Sequence, residues 1–183
     1  LIIRRKDLDL IPANIALSSI DVAIVTATAR EYLLREMLVM IRNDYDYILI
    51  DCLPSLGMLA INALTAADSV LVPIKAQYLD LNGFALLKES IELLQHKTNK
   101  KLKILGVFLT MYNDRLKEVQ ETLSDTLKVC MDGNVNLFGT KISPSTDAAT
   151  ASRKGKNIFE YKTGCKVAEE YRNLVKEILE YEC

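Results

Sequence analysis

The sequence predicts an α/β fold, a doubly wound parallel sheet with helices on both faces. Three observations predict it. Apolar runs at 46–51, 69–74 and 103–110 lack strict alternation, the pattern of strands buried on both faces. Segments with apolar residues at helical spacing separate them. Strands alternating with helices over short linkers give right-handed βαβ units.

The elements follow in order. Leu8–Ala13 reads as a short strand. Residues 28–42 read as a helix, with Thr28 as N-cap and Glu31 three residues on completing a capping box. Asp46–Asp51 is an apolar run that ends in a carboxylate and reads as a buried strand. A short apolar helix is expected over 58–67, a second buried strand over 69–74 and a helix over 81–97. A third buried strand follows at 103–110, then a helix over 114–128 with Leu116, Val119, Leu123 and Leu127 on one face. Residues 135–138 read as an edge strand, and 167–181 as a closing helix with Val167, Tyr171, Leu174, Val175 and Ile178 on one face.

Composition narrows the function classes. Half of the 183 residues are hydrophobic, so a core can form and disorder is excluded. No apolar run approaches the length of a membrane span. The 23 Lys and Arg balance 24 Asp and Glu, so a nucleic-acid or membrane partner would need a local patch. The four cysteines stand at no metal-ligand spacing and His96 is the lone histidine, which reads as reduced thiols in a cytoplasmic protein. Cys52, beside Asp51, is expected to be buried and inert.

In parallel sheets ligands sit at the carboxyl ends of the strands. Residues 51–57, 75–78, 111–115 and 142–147 are therefore the positions of interest. Asp51 at a strand end suits a hard cation that bridges phosphates; alone, the pattern more often describes a loop-capping aspartate.

The residues that follow discriminate. Asp51-Cys52-Leu53-Pro54-Ser55-Leu56-Gly57 resembles the Walker B and switch II segment of the ParA/MinD family of deviant-Walker partition ATPases. The resemblance continues through Asn62-Ala63-Leu64, Ala66-Ala67-Asp68, residues 72–78, residues 109–115 and residues 155–161, and looks most like the Soj/ParA branch. It implies a P-loop NTPase-like fold and an ATP-dependent dimerising switch for chromosome or plasmid partitioning. It also implies nonspecific DNA binding, a ParB-like stimulating partner, no membrane attachment, and a cytoplasmic, nucleoid-associated location. By that resemblance Asp51 orients Mg²⁺, and Pro54, Ser55 and Gly57 form switch II. Met111, Asn113, Ser143 and Pro144 bound the adenine pocket, for which simple packing at the sheet top is the plain alternative.

The family's glycine-rich phosphate loop is absent, which accounts for only seven glycines. Gly155-Lys156 is not a displaced copy, because Thr150 and Asn157 stand where glycine and Ser/Thr are needed. The expectation is thus one incomplete domain over 1–183, lacking the N-terminal strand and phosphate loop. It would hold neither ATP nor Mg²⁺ tightly and would self-associate through uncovered surfaces. A hydrolysis-deficient scaffold or regulatory module is the alternative. Leu53 replaces a switch proline, and Pro144 and Asp147 stand where the family carries basic residues. Basic residues instead cluster over 153–166, with Arg153, Lys154, Lys156, Lys162 and Lys166 against Glu160. With Arg115 they form a candidate DNA surface, or else a solvated face.

Overall fold

A computed structural model describes residues 2–5, 8–53, 57–75 and 81–182. The switch positions Pro54 and Ser55 lie outside the described residues. The chain divides into two compact units, Leu1–Asp68 with Ser90–Leu102, and Ser69–Glu89 with Lys103–Cys183.

The first unit is helical. Two helices, α1 (Ile20–Ala23) and α2 (Leu33–Val39), precede α3 (Met58–Ala66). Three expectations fail here. Leu8–Ala13 forms no strand, only a single antiparallel bridge between Leu10 and Ile3. Asp46–Ile50 forms no strand either, and Leu49 is 90% exposed. A strand exists through its ladder, and this run has no ladder partner among the described residues. The helix expected over 28–42 breaks into a 3-10 turn at Arg30–Tyr32, α2, and another turn at Arg42–Asp44. Ala29, at φ 54, lies outside the helical region, so helical backbone begins only at Arg30. Thr28 is not the cap. A distant side chain does that work: Asn62 of α3 accepts the Leu34 N–H at 3.1 Å and donates to the Arg30 carbonyl at 2.9 Å.

The end of α3 is tied down similarly. The Asn99 amide donates to the carbonyls of Leu64 (3.0 Å) and Ala67 (2.7 Å), which satisfies groups that a helix terminus leaves open. Ile24, Ala60, Ala63, Leu64, Ile91, Leu94 and Leu102 are buried apolar residues of this unit.

The second unit holds the sheet. Strands β1 (Ser69–Lys75), β2 (Lys103–Thr110) and β3 (Leu137–Lys141) are parallel, in the order β1-β2-β3. Helix α4 (Leu81–Lys97), which runs on into the first unit, connects β1 to β2, and α5 (Lys117–Asp132) connects β2 to β3. Three helices follow: α6 (Thr146–Arg153), α7 (Ile158–Lys162) and α8 (Lys166–Glu182). The expected edge strand over 135–138 thus starts two residues later, and the helix expected from 114 starts at 117.

Both faces of the sheet are covered. Val72 and Val107 pack with Cys130 of α5, and Leu87 of α4 lies against the same cluster. Leu105, Phe108 and Phe138 pack on the other side with Val167, Ala168 and Leu174 of α8. Each fully buried aliphatic side chain contributes about 1.5–3 kcal/mol. On α8 the expected face is only partly realised. Leu174 is buried and Ile178 packs on the cluster, while Val175 is 52% exposed. On α5 Val119 is fully buried, but Leu127 is 42% exposed.

Gly106 marks an irregularity in β2. Val70 pairs with Ile104 but Leu71 pairs with Gly106, so Leu105 is an extra residue. The bulge shifts the alternation by one, which puts Ile104 and Val107 on one face and Leu105 and Phe108 on the other. A Cβ at position 106 would stand 2.6 Å from Phe138 Cε2 and 2.9 Å from the Asn136 carbonyl oxygen. Only glycine lets β3 come this close.

Candidate functional site

The carboxyl ends of β2 and β3 form the site in the second unit. Past Thr110 the chain turns at Met111, whose φ of 53 is left-handed. The ladder nonetheless continues. Ile142 donates its N–H to the Leu109 carbonyl at 2.8 Å, and Tyr112 donates to the Ile142 carbonyl at 3.0 Å. The two loops therefore run side by side. Asn113 folds the first loop on itself, its Oδ1 accepting the Arg115 N–H at 3.2 Å.

Between the loops lies an open cleft of about 420 Å³, lined by Tyr112, Asn113, Asp114, Arg115, Ser143, Pro144 and Lys166. That volume falls within the range of small-ligand sites, roughly 300–1,000 Å³. Of the residues assigned to the adenine pocket, the structure brings Asn113, Ser143 and Pro144 together there. Met111 is 46% exposed and is not among the lining residues. Arg115, assigned to DNA, also lines the cleft.

The Ser143 wall is held from α8. Glu170 accepts the Ser143 N–H at 2.7 Å and its hydroxyl at 2.6 Å, and it pairs with Lys166 at 3.5 Å. The Lys141 ammonium, at the end of β3, lies 4.5 Å from the centroid of the Tyr112 ring on the opposite loop. The cleft thus offers an aromatic ring, a proline ring, amide and hydroxyl groups, the cations Arg115 and Lys166, and the Asp114 carboxylate, with Lys166 already paired to Glu170. A ring and hydrogen-bonding groups together suit a planar, polar heterocycle. Glu170 escaped the sequence reading because nothing distinguishes it from its acidic neighbours on the same helix.

Asp51 lies in the first unit, exposed. Among the described residues no three His, Cys, Asp or Glu side chains cluster as a metal site. A single carboxylate fits a magnesium ion that keeps most of its waters, and it fits no dehydrated cage. Gly57 starts α3 in an extended conformation, and its carbonyl accepts the Ile61 N–H at 3.0 Å. Cys52 is exposed, contrary to expectation, because the run before it enters no sheet. Surrounding protein, and secondarily the Asp51 charge, push its thiol above the ordinary range.

The basic run is reshaped by tertiary contacts. Arg153, Lys154 and Lys156 are exposed around the end of α6, where Gly155 at φ 63 terminates the helix and Lys156 donates to the Ala151 carbonyl at 3.0 Å. The Lys154 ammonium sits 5.0 Å from the Tyr161 ring centroid. Lys162 pairs with Asp147 at 2.9 Å, and that hydrogen bond raises its pKa. With Lys166 held by Glu170, two of the five cations are matched by acids from outside the 153–166 run or across it.

Residues 1–104 match the family described as an AAA domain. The chain is 37% identical to the sporulation initiation inhibitor protein Soj of Bacillus subtilis over 94% of its own length and 67% of that protein. It is also 37% identical to the chromosome-partitioning ATPase Soj of Treponema pallidum, over 92% of its length and 66% of that protein. Among solved structures, cobyrinic acid a,c-diamide synthase from Mycobacterium smegmatis with bound ATP analogue and magnesium superposes with a TM-score of 0.82. Its identity is 29%, over 99% of this chain and 66% of that one. The chain thus spans about two thirds of the length of these proteins. With a parallel sheet wound by helices on both faces, the chain belongs to the ParA/MinD family of partition ATPases, alongside its Soj members.

Proposed function

We propose that this chain is part of a Soj/ParA-like ATPase that serves chromosome or plasmid partitioning. The observation that carries the reading is the cleft at the ends of β2 and β3, where Asn113, Ser143 and Pro144 converge. In this reading the cleft takes the adenine base. Asp51 orients Mg²⁺ through water, and Pro54, Ser55 and Gly57 act as the switch beside it. ATP and Mg²⁺ supply phosphoryl-transfer chemistry when bound, while this chain's residues contribute orientation. The protein from Mycobacterium smegmatis, with its bound ATP analogue and magnesium, supports that choice of ligands.

The chain carries no glycine-rich phosphate loop. We infer that alone it does not hydrolyse ATP and holds it only through the base. Arg115, Arg153, Lys154 and Lys156 would contact DNA phosphates without sequence preference, and a ParB-like protein would stimulate the intact ATPase in the cytoplasm at the nucleoid. Exposed apolar side chains of the first unit, Leu8, Ile15, Val22, Met40 and Leu49 among them, support self-association. Among the described residues no helix is long and apolar enough to cross a membrane.

Two measurements on the same sample test this. Calorimetry with Mg-ATP should show no micromolar binding; a micromolar constant overturns the inferred loss of the phosphate grip. Millimolar adenosine should shift the amide resonances of Asn113 and Ser143. Shifts confined to other residues overturn the base site.

A further inference from the structure

Helix α8 is fastened to the β3 segment at two points. Glu177 accepts the backbone N–H groups of Gly139 and Thr140, the latter at 2.9 Å. Glu170 accepts the Ser143 N–H and hydroxyl at 2.7 and 2.6 Å. The spacing makes both possible at once. Seven helical residues advance about 10.5 Å, and three to four strand residues advance about 10–13 Å. The helix runs antiparallel to β3, so the two carboxylates meet successive stations of one edge. They differ in what they hold. Gly139 and Thr140 lie within β3, away from the cleft. Ser143 is a cleft wall, followed directly by Pro144, whose missing N–H leaves that corner without a second backbone donor.

We propose that Glu170 is the positioning residue of the base site, which it sets by fixing Ser143 against α8. This rests on the reading of the cleft as the place of the base. The Glu170 side chain is only 14% exposed, so its contacts are sheltered from competing water. It spends both oxygens, one on the Ser143 N–H and one on the hydroxyl, the latter shared with Lys166 from the cleft rim. Without Glu170 the Ser143 N–H and Oγ lose the partners they have among the described residues, and the Ser143 groups can turn into the cleft or away from it. Glu170 is not among the residues that line the cleft, so it acts on the base through Ser143.

The test uses the whole 183-residue chain, isotopically labelled and titrated with adenosine. Glu170→Ala should weaken adenosine binding about tenfold and speed hydrogen exchange at the Ser143 amide. Glu170→Gln should restore adenosine binding to within about twofold, since its carbonyl accepts from the N–H and its amide donates to Oγ. Glu177→Ala loosens the same helix at the other station and should leave adenosine binding and Ser143 exchange unchanged. Adenosine binding by Glu170→Ala at the wild-type level overturns the proposal, as does an equal loss in Glu177→Ala, which would mean general loosening of α8. A wild-type chain whose cleft amides ignore adenosine overturns the base site itself and the proposal with it. The wild-type titration thus separates the two failures.

Discussion

The side chain of Asn62, in the middle of α3, caps a helix almost thirty residues earlier: its Oδ1 accepts the Leu34 N–H at 3.1 Å while its amide donates to the Arg30 and Met58 carbonyls. Asn62 is only 7% exposed, and shortening its side chain removes all three of these part-buried hydrogen bonds. Asn62→Ala should destabilise the chain by about 1–3 kcal/mol, the cost of leaving buried polar groups unpaired. Urea denaturation followed by circular dichroism measures it. A loss under half a kilocalorie would show that α2 stands without this cap.

Gly106 gives a second prediction. The atoms facing its missing Cβ are 2.6 and 2.9 Å away, one in the Phe138 ring and one in the backbone. Gly106→Ala should cost about 1–3 kcal/mol through overpacking. Adding Phe138→Leu should recover part of that loss and not all, because the Asn136 carbonyl cannot yield as a ring can. Thermal melts of the single and double variants decide it.

Acid sensitivity follows from Glu177. Burial disfavours its charge, but the Gly139 and Thr140 N–H groups outweigh burial, so its carboxyl titrates below the usual range. A depressed folded value contributes stability that is present above the unfolded value, about 4.3, and is lost as pH falls through the folded one. Wild-type stability should therefore drop on acidification below about pH 4.3, and Glu177→Gln should flatten that drop. Denaturation midpoints measured at a series of acidic pH values check it, and parallel curves for the two proteins would contradict it.

The DNA surface is tested by salt dependence. Arg115→Ala and Lys154→Ala should each lower the slope of log affinity against log salt by about one on a random duplex. Lys162→Ala should change it little, since Asp147 already holds that ammonium. Asp147→Ala should do the opposite and steepen the slope. A slope indifferent to Arg115 and Lys154 would leave the run a solvated face.

The sequence by itself determined the parallel α/β class, because unbroken apolar runs and helical spacing are local properties. It placed α3, α4, β1, β2 and α8 within a residue or two. It also gave the family, since motifs such as 51–57 and 155–161 are read in order along the chain. Local signals failed where a distant partner decides. Thr28 and Glu31 compose a good capping box, yet Ala29 at positive φ delays the start and Asn62 holds the first turn of α2. Asp46–Asp51 reads as a buried strand, yet without a ladder beside it the run stays irregular and Cys52 is exposed. The basic run counts as four net charges in the sequence, but Asp147, before the run, neutralises Lys162 within it. Only the tertiary structure brought Asn113 and Ser143 to one cleft and put Glu170 behind Ser143. Pairing across long stretches of chain depends on which surfaces meet, and no residue carries that information in its own neighbourhood.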